Sequence, residues 1–427
     1  MKVTNYPRLN ERLYEATLSN GLPVAVLPKP GFAKKSAYFV TNFGSIDTAF
    51  QWNGQSFRTP AGVAHYLEHK MFDLEGRDVM AEFSAMGANP NAFTSYALTA
   101  YYFSCTDNFE KCLELLLTFV STPYFTAESV ERERGIIGQE IGMYEDSADS
   151  QVYEDLFAAM YQSHPVRVPI VGSVESIGEI TPQTLYDCYA AFYHPANMML
   201  CVVGDVDPEA VVDMAERLLP GSPHALALRD YGPPEALTCP KPLVERAMDV
   251  AMPTFQLGFK CPWPGRGAPC LRQQIVGDLA AEALMGESSP LYLRLYRQGL
   301  IDSSFSAGYE DLPGVALLSC GGDSRNPEAV RDAILEEARR VSREGVEEDL
   351  FNRLKRSALG RQYRSLDSLD STCFRLCAAH FDGVPYLEFP AAYDAVTREQ
   401  VEDFIRQFAV EEHCALAVIR PRQEEVS

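Results

Sequence analysis

The chain of 427 residues lacks the features of membrane-spanning and nucleic-acid-binding proteins. No apolar run is long enough to cross a bilayer, so we expect no membrane association. The first residues show neither an apolar signal core nor an arginine-rich leader, which predicts a cytoplasmic protein. Positive charge is scarce, with 37 Lys and Arg against 59 Asp and Glu and a net charge of −22. Because nucleic-acid binding rests on a basic surface, this balance excludes a nucleic-acid partner.

The chain also lacks the pattern of a disulfide framework. Its 11 cysteines include no CxxC pair, and an odd number cannot all pair within one chain. We therefore interpret them as reduced, mostly buried thiols, which agrees with a cytoplasmic location. No phosphate-binding glycine loop is present, and no Ser-His-Asp or Cys-His cluster can be located from the sequence.

Histidine is rare, with 7 residues, yet two of them stand four positions apart around His65-Tyr66-Leu67-Glu68-His69. On a helix this spacing places both imidazoles on one face, with the Glu68 carboxylate beside them. Thr59 suits the N-cap and Pro60 the first helical position, so we expect the helix to begin there. The order HxxEH is the inverted form of the HExxH zinc site. The alternative, an accidental histidine pair making ordinary hydrogen bonds, stays open without a third ligand.

A second predicted helix offers that third ligand. Glu133, Ile137, Glu140 and Tyr144 recur at steps of four, three and four, so they share one stripe of the helix. The apolar members of this stripe argue against a solvated acidic face. A catalytic zinc needs three protein ligands, an open position for water and a nearby base. We therefore predict that Glu140 completes a zinc site with the two histidines.

Turn and strand signals place several β-strands in the first half. The segments Arg12 to Leu18 and Leu22 to Pro28 flank Asn20-Gly21, a strong hairpin signal. Ser36 to Phe43 and Leu98 to Cys105 are rich in residues that favour strands. These segments predict that the fold opens with an antiparallel hairpin.

The second half of the chain repeats the first. Thr181 to Val203 aligns without a gap with Thr397 to Ile419, with helix, turn and strand in register. We predict an α+β fold of two homologous α/β domains, each a mixed, mostly antiparallel sheet covered by helices. The expected domains are residues 1–218 and 245–427, joined by a proline-rich linker at 219–244. Arg361 falls at the Glu140 position of the second half, so we expect one metal per chain.

At these motifs the sequence resembles the pitrilysin/insulinase family of inverted zinc peptidases, which includes the mitochondrial processing peptidases. The resemblance covers essentially the whole chain. Its length and its HKMFD continuation are most similar to bacterial half-length members, each of which forms half of a clamshell. The resemblance implies that His65, His69 and Glu140 bind one Zn²⁺, that Glu68 is the general base, and that Glu133 supports the site.

The resemblance extends to the segment Asn91-Ala92-Phe93-Thr94-Ser95. In the family, the Asn-Ala pair of this segment hydrogen-bonds an extended peptide that adds a strand to a sheet edge. The resemblance therefore implies that Asn91, Ala92 and Phe93 contact the substrate.

One segment departs from the family pattern. Relatives usually carry an Arg and a Tyr in the second half that reach the substrate carbonyl. Here Tyr296 falls near the Arg position and Asp302 at the Tyr position. We expect that Arg297 compensates or that a partner subunit supplies these groups.

The resulting prediction is a zinc metallopeptidase that hydrolyses peptides or small unfolded polypeptides, held as an extended strand in an enclosed chamber. A homodimer or a heterodimer with a related chain is the expected working form. Two alternatives stay open: a non-proteolytic scaffold subunit, and a peptide-binding partner that presents substrate to another catalytic chain. Peptidase activity with and without a chelator separates the three.

Overall fold

The computed structural model describes residues 1–219, 221 and 225–422. Pro220 and Pro223 of the predicted linker lie outside the described residues. The described strands, in chain order, are β1 (Lys2–Tyr6), β2 (Glu11–Thr17), β3 (Pro23–Pro28), β4 (Lys35–Thr41), β5 (Ala49–Trp52), β6 (Gln55–Arg58), β7 (Asp73–Leu74), β8 (Arg77–Asp78), β9 (Asn89–Thr94), β10 (Thr99–Cys105), β11 (Met198–Gly204), β12 (Leu228–Arg229), β13 (Leu243–Met248), β14 (Thr254–Cys261), β15 (Ser306–Leu312), β16 (Val315–Asp323) and β17 (Cys414–Pro421).

The described α-helices are numbered separately, also in chain order. They are α1 (Val63–Met71), α2 (Val79–Ala85), α3 (Phe109–Val120), α4 (Ala127–Asp146), α5 (Ala148–Met160), α6 (Val174–Gly178), α7 (Pro182–Phe192), α8 (Pro208–Leu218), α9 (Ala268–Met285), α10 (Pro290–Arg297), α11 (Pro327–Glu344), α12 (Glu348–Ser365), α13 (Leu369–Phe381), α14 (Phe389–Ala395) and α15 (Arg398–Phe408). Among the described residues, none of these helices has the length and apolar character needed to span a bilayer.

The larger sheet has seven strands in the order β1-β2-β3-β11-β4-β10-β9. Neighbouring strands are antiparallel, except that β3 and β11 run parallel. The predicted hairpin is confirmed, since β2 and β3 pair across a turn in which Gly21 has a φ of 89°. It does not open the fold, because β1 precedes it and pairs with β2. A glycine is favoured at this position because residues with a Cβ rarely adopt a positive φ.

The second sheet repeats the inner part of the first. Its order is β13-β17-β14-β16-β15, with β13 and β17 parallel and the other pairs antiparallel, which matches β3-β11-β4-β10-β9 strand for strand. The helices correspond as well, because Thr181 caps α7 and Thr397 caps α15, each through a capping box. The predicted α+β fold of two homologous, mostly antiparallel sheets with helices is therefore confirmed.

The described chain divides into two compact units, each discontinuous in sequence. The first comprises Met1–Ile141, Pro169–Tyr231 and Gln362–Glu388, and the second comprises Gly142–Val168, Gly232–Arg361 and the residues from Phe389 onwards. These units differ from the contiguous ranges 1–218 and 245–427 expected from the sequence. The contiguous ranges stay a proposal for the bounds of the sequence repeat.

Two corresponding helices of the repeat are exchanged between the units. Helix α5, from the first half of the chain, packs on β14 and β17 of the second unit, where Arg246 forms an ion pair with Asp155. Helix α13, from the second half, packs on β4 and β11 of the first unit, where Ser36 donates a hydrogen bond to Asp370. Such an exchange cannot be read from the sequence, because the two helices occupy equivalent positions in the repeat.

The described part of the expected linker is anchored within the units. In the first unit, β12 pairs with β5, and Arg229 forms an ion pair with the buried Asp47 at 2.9 Å. In the second unit, the Glu235 carboxylate accepts hydrogen bonds from the backbone N–H groups of residues 162–164. These parts of the segment 219–244 therefore pack as ordered structure on the units that they join.

The helix that carries the HxxEH motif begins later than expected. Helix α1 starts at Val63 after Gly62, which has a φ of 87°, whereas Thr59 donates its side-chain hydrogen bond to the carbonyl of Thr48. A Cβ at Gly62 would lie 2.5 Å from the carbonyl oxygen of Val171. The predicted start at Thr59 and Pro60 is therefore wrong, because a close backbone contact and a positive φ at Gly62 decide where the helix begins.

Candidate metal centre

Helix α1 is buried along almost its whole length, and its polar residues are buried with it. His65 and Glu68 are only 7% and 8% exposed. The hydroxyl of Tyr66 donates a hydrogen bond to the carbonyl of Val130, which ties α1 to α4 within the first unit. Buried polar groups are costly unless they are paired, so this arrangement points to a specific role for these side chains.

Three potential metal ligands converge between α1 and α4. Nε2 of His65 lies 3.5 Å from one carboxylate oxygen of Glu140, and Nε2 of His69 lies 3.4 Å from the other. One ligand atom from each of the three residues lies within 4.8 Å of the other two. Over residues 1–219, 221 and 225–422, this is the only such group of three His, Cys, Asp or Glu residues.

These distances fit a shared cation better than direct hydrogen bonds. Hydrogen bonds between N–H and O are mostly about 2.9–3.0 Å long, shorter than the separations of 3.4 and 3.5 Å. Ligand atoms at about 2.0–2.1 Å from one tetrahedral zinc are about 3.3–3.4 Å apart. Two imidazole nitrogens and one carboxylate are also a donor set that zinc prefers. The residues present therefore fit a zinc ion.

Glu133 orients one of the two imidazoles. Its carboxylate oxygen lies 3.0 Å from Nδ1 of His69, on the opposite side of the ring from Nε2. Such a carboxylate partner favours a proton on Nδ1 and leaves the lone pair of Nε2 for a metal. Burial lowers the pKa of His69, but the hydrogen bond to Glu133 and the nearby carboxylates together raise that pKa above its usual value.

The Glu140 carboxylate stays ionised in these surroundings. Its pKa is lowered by the polar contact with the His65 imidazole at 3.5 Å and by the charges of both histidines, although burial acts in the opposite direction. An ionised carboxylate is the form that binds a divalent cation. With Glu68 and Glu133, three carboxylates surround two imidazoles, so the local charge favours a bound cation.

Glu68 has a different environment from the three potential ligands. One of its carboxylate oxygens, Oε2, accepts a hydrogen bond of 2.6 Å from the hydroxyl of Thr94. Burial raises the pKa of Glu68, and the bond from Thr94 and the nearby histidines offset only part of this effect. A carboxylate with a raised pKa is suited to accept a proton near neutral pH.

The segment expected to bind substrate is the outer strand of the larger sheet. Strand β9 contains Asn91, Ala92 and Phe93 and pairs with β10 along one side. On its other side it has no strand partner among the described residues. The ring of Phe93 packs against Phe374 of α13, with 5.4 Å between ring centres. A peptide that binds here would therefore contact the backbone of β9 and not the ring of Phe93.

The residues that stand where relatives of the family carry an Arg and a Tyr lie in the second unit. Tyr296 and Arg297 end helix α10, and Tyr296 is 52% exposed and stacks on Tyr292. Asp302 accepts hydrogen bonds from the backbone and hydroxyl of Ser304. The structure thus gathers the histidines and carboxylates of the motif in the first unit, whereas Tyr296 and Arg297 belong to the other unit.

Thr94 is the site residue that sequence reasoning did not single out. It directly follows the three residues that the resemblance implies for substrate binding, it is the last residue of β9, and its Cα partner across the strand pair is Thr99. The alternation of side chains along a strand could have indicated that Thr94 and Phe93 face opposite sides of the sheet. Its contact with Glu68 follows only from the packing of β9 on α1.

Two family models match the chain. The model described as Insulinase (Peptidase family M16) matches residues 57–174, which contain the histidine motif, Glu133 and Glu140. The model described as Peptidase M16 inactive domain matches residues 179–358. The chain belongs to the insulinase (M16) family of peptidases, of which it is a half-length member, as the sequence predicted.

Individual relatives agree with this assignment. The chain is 36% identical to YmfH, an uncharacterized zinc protease of Bacillus subtilis (strain 168), over 99% of this chain and 100% of the relative. It is 28% identical to a probable mitochondrial-processing peptidase subunit beta of Schizosaccharomyces pombe, over 75% of this chain and 74% of that protein. A solved structure from Alicyclobacillus acidocaldarius, described as M16-like, matches with a TM-score of 0.93 and 33% identity, over 96% of this chain and 99% of that one.

Proposed function

We propose that the chain is a zinc-dependent endopeptidase that hydrolyses peptides or small unfolded polypeptides. The observation that carries this proposal is the convergence of His65, His69 and Glu140 within 4.8 Å, with Glu68 on the same helix as the histidines. A set of three ligands with a base beside it is the arrangement of a catalytic zinc site. The similarity to an uncharacterized zinc protease supports the choice of metal.

The proposed mechanism assigns one task to each side chain. His65, His69 and Glu140 hold one zinc ion, and Glu133 keeps the imidazole of His69 in the right orientation. When bound by such ligands, zinc lowers the pKa of its water to about 7 and polarises a carbonyl group. Glu68 takes the proton from the attacking water and later passes it to the leaving amine.

The edge strand β9 is the proposed binding place for the substrate backbone. An extended peptide adds a strand to the side of β9 that no described strand covers, along the segment that contains Asn91, Ala92 and Phe93. Main-chain hydrogen bonds of this kind are independent of the peptide sequence, so they suit an enzyme for unfolded polypeptides. Tyr296 and Arg297 are proposed as further substrate contacts.

We further propose that the working enzyme is a homodimer or a heterodimer with a related chain and encloses a chamber. A second subunit would exclude water from the metal and strengthen the electrostatic contacts there. One relative is named as a subunit, which supports an assembly.

The 11 cysteines are all free thiols in the structure, which supports a location in the cytoplasm.

A second candidate function is a non-proteolytic or peptide-binding subunit of a larger peptidase-like complex. The observation that favours it is the replacement of the usual Arg and Tyr of the second half by Tyr296 and Asp302. In this function, β9 binds the peptide and another chain supplies the groups that stabilise the transition state.

Incubation of the full chain with internally quenched peptides and with unfolded casein decides between these functions. Cleavage that o-phenanthroline abolishes and added zinc restores supports the peptidase, with Glu68→Gln as the inactive control. Binding of the peptides without cleavage, over a wide range of protein concentration and with a related chain added, supports the second candidate. Absence of both binding and cleavage contradicts both functions.

A further inference from the structure

Thr94, on strand β9 of the larger sheet, forms a hydrogen bond with the carboxylate of Glu68 on helix α1. Its hydroxyl donates a hydrogen bond of 2.6 Å to Oε2 of Glu68, a residue that is only 8% exposed. Hydrogen bonds to an ionised acceptor are shorter and stronger than neutral ones, and the low exposure of Glu68 limits the access of solvent that could replace this bond. Because Oε2 is engaged, Oε1 is the carboxylate oxygen that remains free for other partners.

The direction of the Thr94 hydroxyl is set by the strand that carries it. Thr94 is the last residue of β9, and it pairs with Thr99 of β10. A β-branched side chain has few rotamers once its backbone is fixed. The hydroxyl of Thr99 donates to the carbonyl of Phe43 and lies 3.4 Å from the hydroxyl of Thr94, which limits the space for other rotamers.

The same strand presents its free side to the proposed peptide substrate. Successive side chains of a strand point to opposite faces, so Thr94 meets α1 while Phe93 packs on α13. The backbone between them is left for pairing with a peptide. A peptide paired with β9 therefore lies in a fixed register relative to Thr94, which binds the proposed base Glu68. If the peptide shifted by one residue, the side chains that face α1 would exchange with those that face the opposite side of the sheet.

We propose that Thr94 is a positioning residue that fixes the Glu68 carboxylate relative to a peptide bound on β9. This proposal rests on the proposed peptidase function. Without the hydroxyl, the Glu68 side chain rotates between several positions, and a smaller fraction of the enzyme has Oε1 directed at the attacking water. Peptide binding on β9 is unaffected, because it depends on the backbone of the strand.

The test compares Thr94→Val, which keeps the shape of the side chain but removes the hydroxyl, with Thr94→Ser, which keeps the hydroxyl. For the best-cleaved quenched peptide, we expect Thr94→Val to lower kcat by about 10-fold to 100-fold, the effect of losing a hydrogen bond to a charged group. KM and zinc content should stay close to the wild-type values, and Thr94→Ser should restore most of the turnover. If Thr94→Val folds poorly, Thr94→Ala takes its place as the variant without a hydroxyl.

Thr41→Val is the matched control. The hydroxyl of Thr41 is fully buried in the same sheet, on β4, and donates a hydrogen bond of 2.7 Å to the carbonyl of Phe192. Its loss removes a comparable buried hydrogen bond without touching Glu68, so kcat should not change. Equal losses of kcat in Thr94→Val and Thr41→Val, or equal losses in Thr94→Val and Thr94→Ser, would overturn the proposal, as would an unchanged kcat in Thr94→Val.

Crystal structures of the Thr94 variants test the same proposal without any activity. We expect the Glu68 carboxylate to leave its wild-type position in Thr94→Val and to keep it in Thr94→Ser. An unchanged Glu68 position in both variants contradicts the positioning role even if the enzyme cleaves peptides. If the wild-type protein cleaves no peptide, the peptidase proposal fails, and the position of Glu68 in these structures still decides the role of Thr94.

Discussion

Nη2 of Arg361 lies 2.7 Å from Oε1 of Glu282, so an ion pair joins α12 to α9 in the second unit. In the repeat, α9 takes the place of α1, and α12 takes the place of α4, which carries Glu140. The position that holds the histidines and carboxylates in the first unit is therefore occupied in the second unit by an ion pair. The two charges of this pair cancel, so the pair does not attract a cation. One metal per chain stays a prediction, which the zinc content of the purified protein tests.

Removal of one imidazole should abolish metal binding. We expect His65→Ala to lose its zinc in elemental analysis while its circular dichroism stays that of the wild type, because the surrounding core does not depend on the metal. His413→Ala, which removes a histidine of the second unit, should keep the zinc. Full zinc retention by His65→Ala would contradict the assignment of the ligands.

Neutralisation of Glu68 should separate its role from that of the ligands. We expect Glu68→Gln to keep its zinc and to lose about 100-fold or more in kcat, the usual contribution of a general base. Glu82→Gln, at an exposed ion pair with Arg77, serves as the control and should retain full activity. Loss of zinc from Glu68→Gln would instead identify Glu68 as a ligand.

The carboxylate of Glu133 should contribute to metal affinity through the His69 ring. Glu133→Gln is expected to weaken zinc binding by about 10-fold to 100-fold in competition with a chelator, the typical effect of removing such a partner. Glu131→Gln changes an exposed carboxylate on the same helix and should have no effect. Equal zinc affinity in the two variants would show that Glu133 does not act on the metal.

The stability of the chain should depend on pH through Asp278. Burial, with smaller contributions from Glu282 and Asp311, raises the pKa of Asp278 from 3.8 to about 7. The folded chain then keeps this proton at a pH where the unfolded chain has lost it, so the free energy of unfolding decreases as the pH rises through this range.

The variant Asp278→Asn removes this titration. Its free energy of unfolding, measured by denaturant titration, should therefore increase relative to the wild type between pH 4 and pH 7 and level off above that range. Asp349→Asn, on the surface of α12, should follow the pH dependence of the wild type. A constant difference between Asp278→Asn and the wild type across the range would contradict the prediction.

Activity should depend on assembly. If a dimer encloses the metal site, specific activity should rise with protein concentration below the dissociation constant of the dimer, and a related chain should rescue a weak preparation if the pair is heteromeric. Sedimentation under assay conditions gives the mass of the active species. A fully active species at the monomer mass of 47.5 kDa would rule out the dimer.

Short-range patterns in the sequence predicted much of the fold. The hairpin at Asn20-Gly21 and the capped helices after Thr181 and Thr397 all lie where the sequence indicated. These features depend on the conformational preferences of a few adjacent residues, so they are visible without the tertiary structure. The start of α1 was missed because Gly62 is selected by a contact with the distant Val171.

The side chains of the metal centre can be identified from the sequence, because helical spacing puts His65 and His69 on one face and Glu140 on an apolar stripe. Their contacts follow from the folded chain, which directs Glu140 towards both imidazoles, Thr94 towards Glu68, and α5 and α13 onto exchanged sheets. Spacing along a helix follows from backbone geometry alone, whereas contacts between distant residues depend on the packing of the whole core.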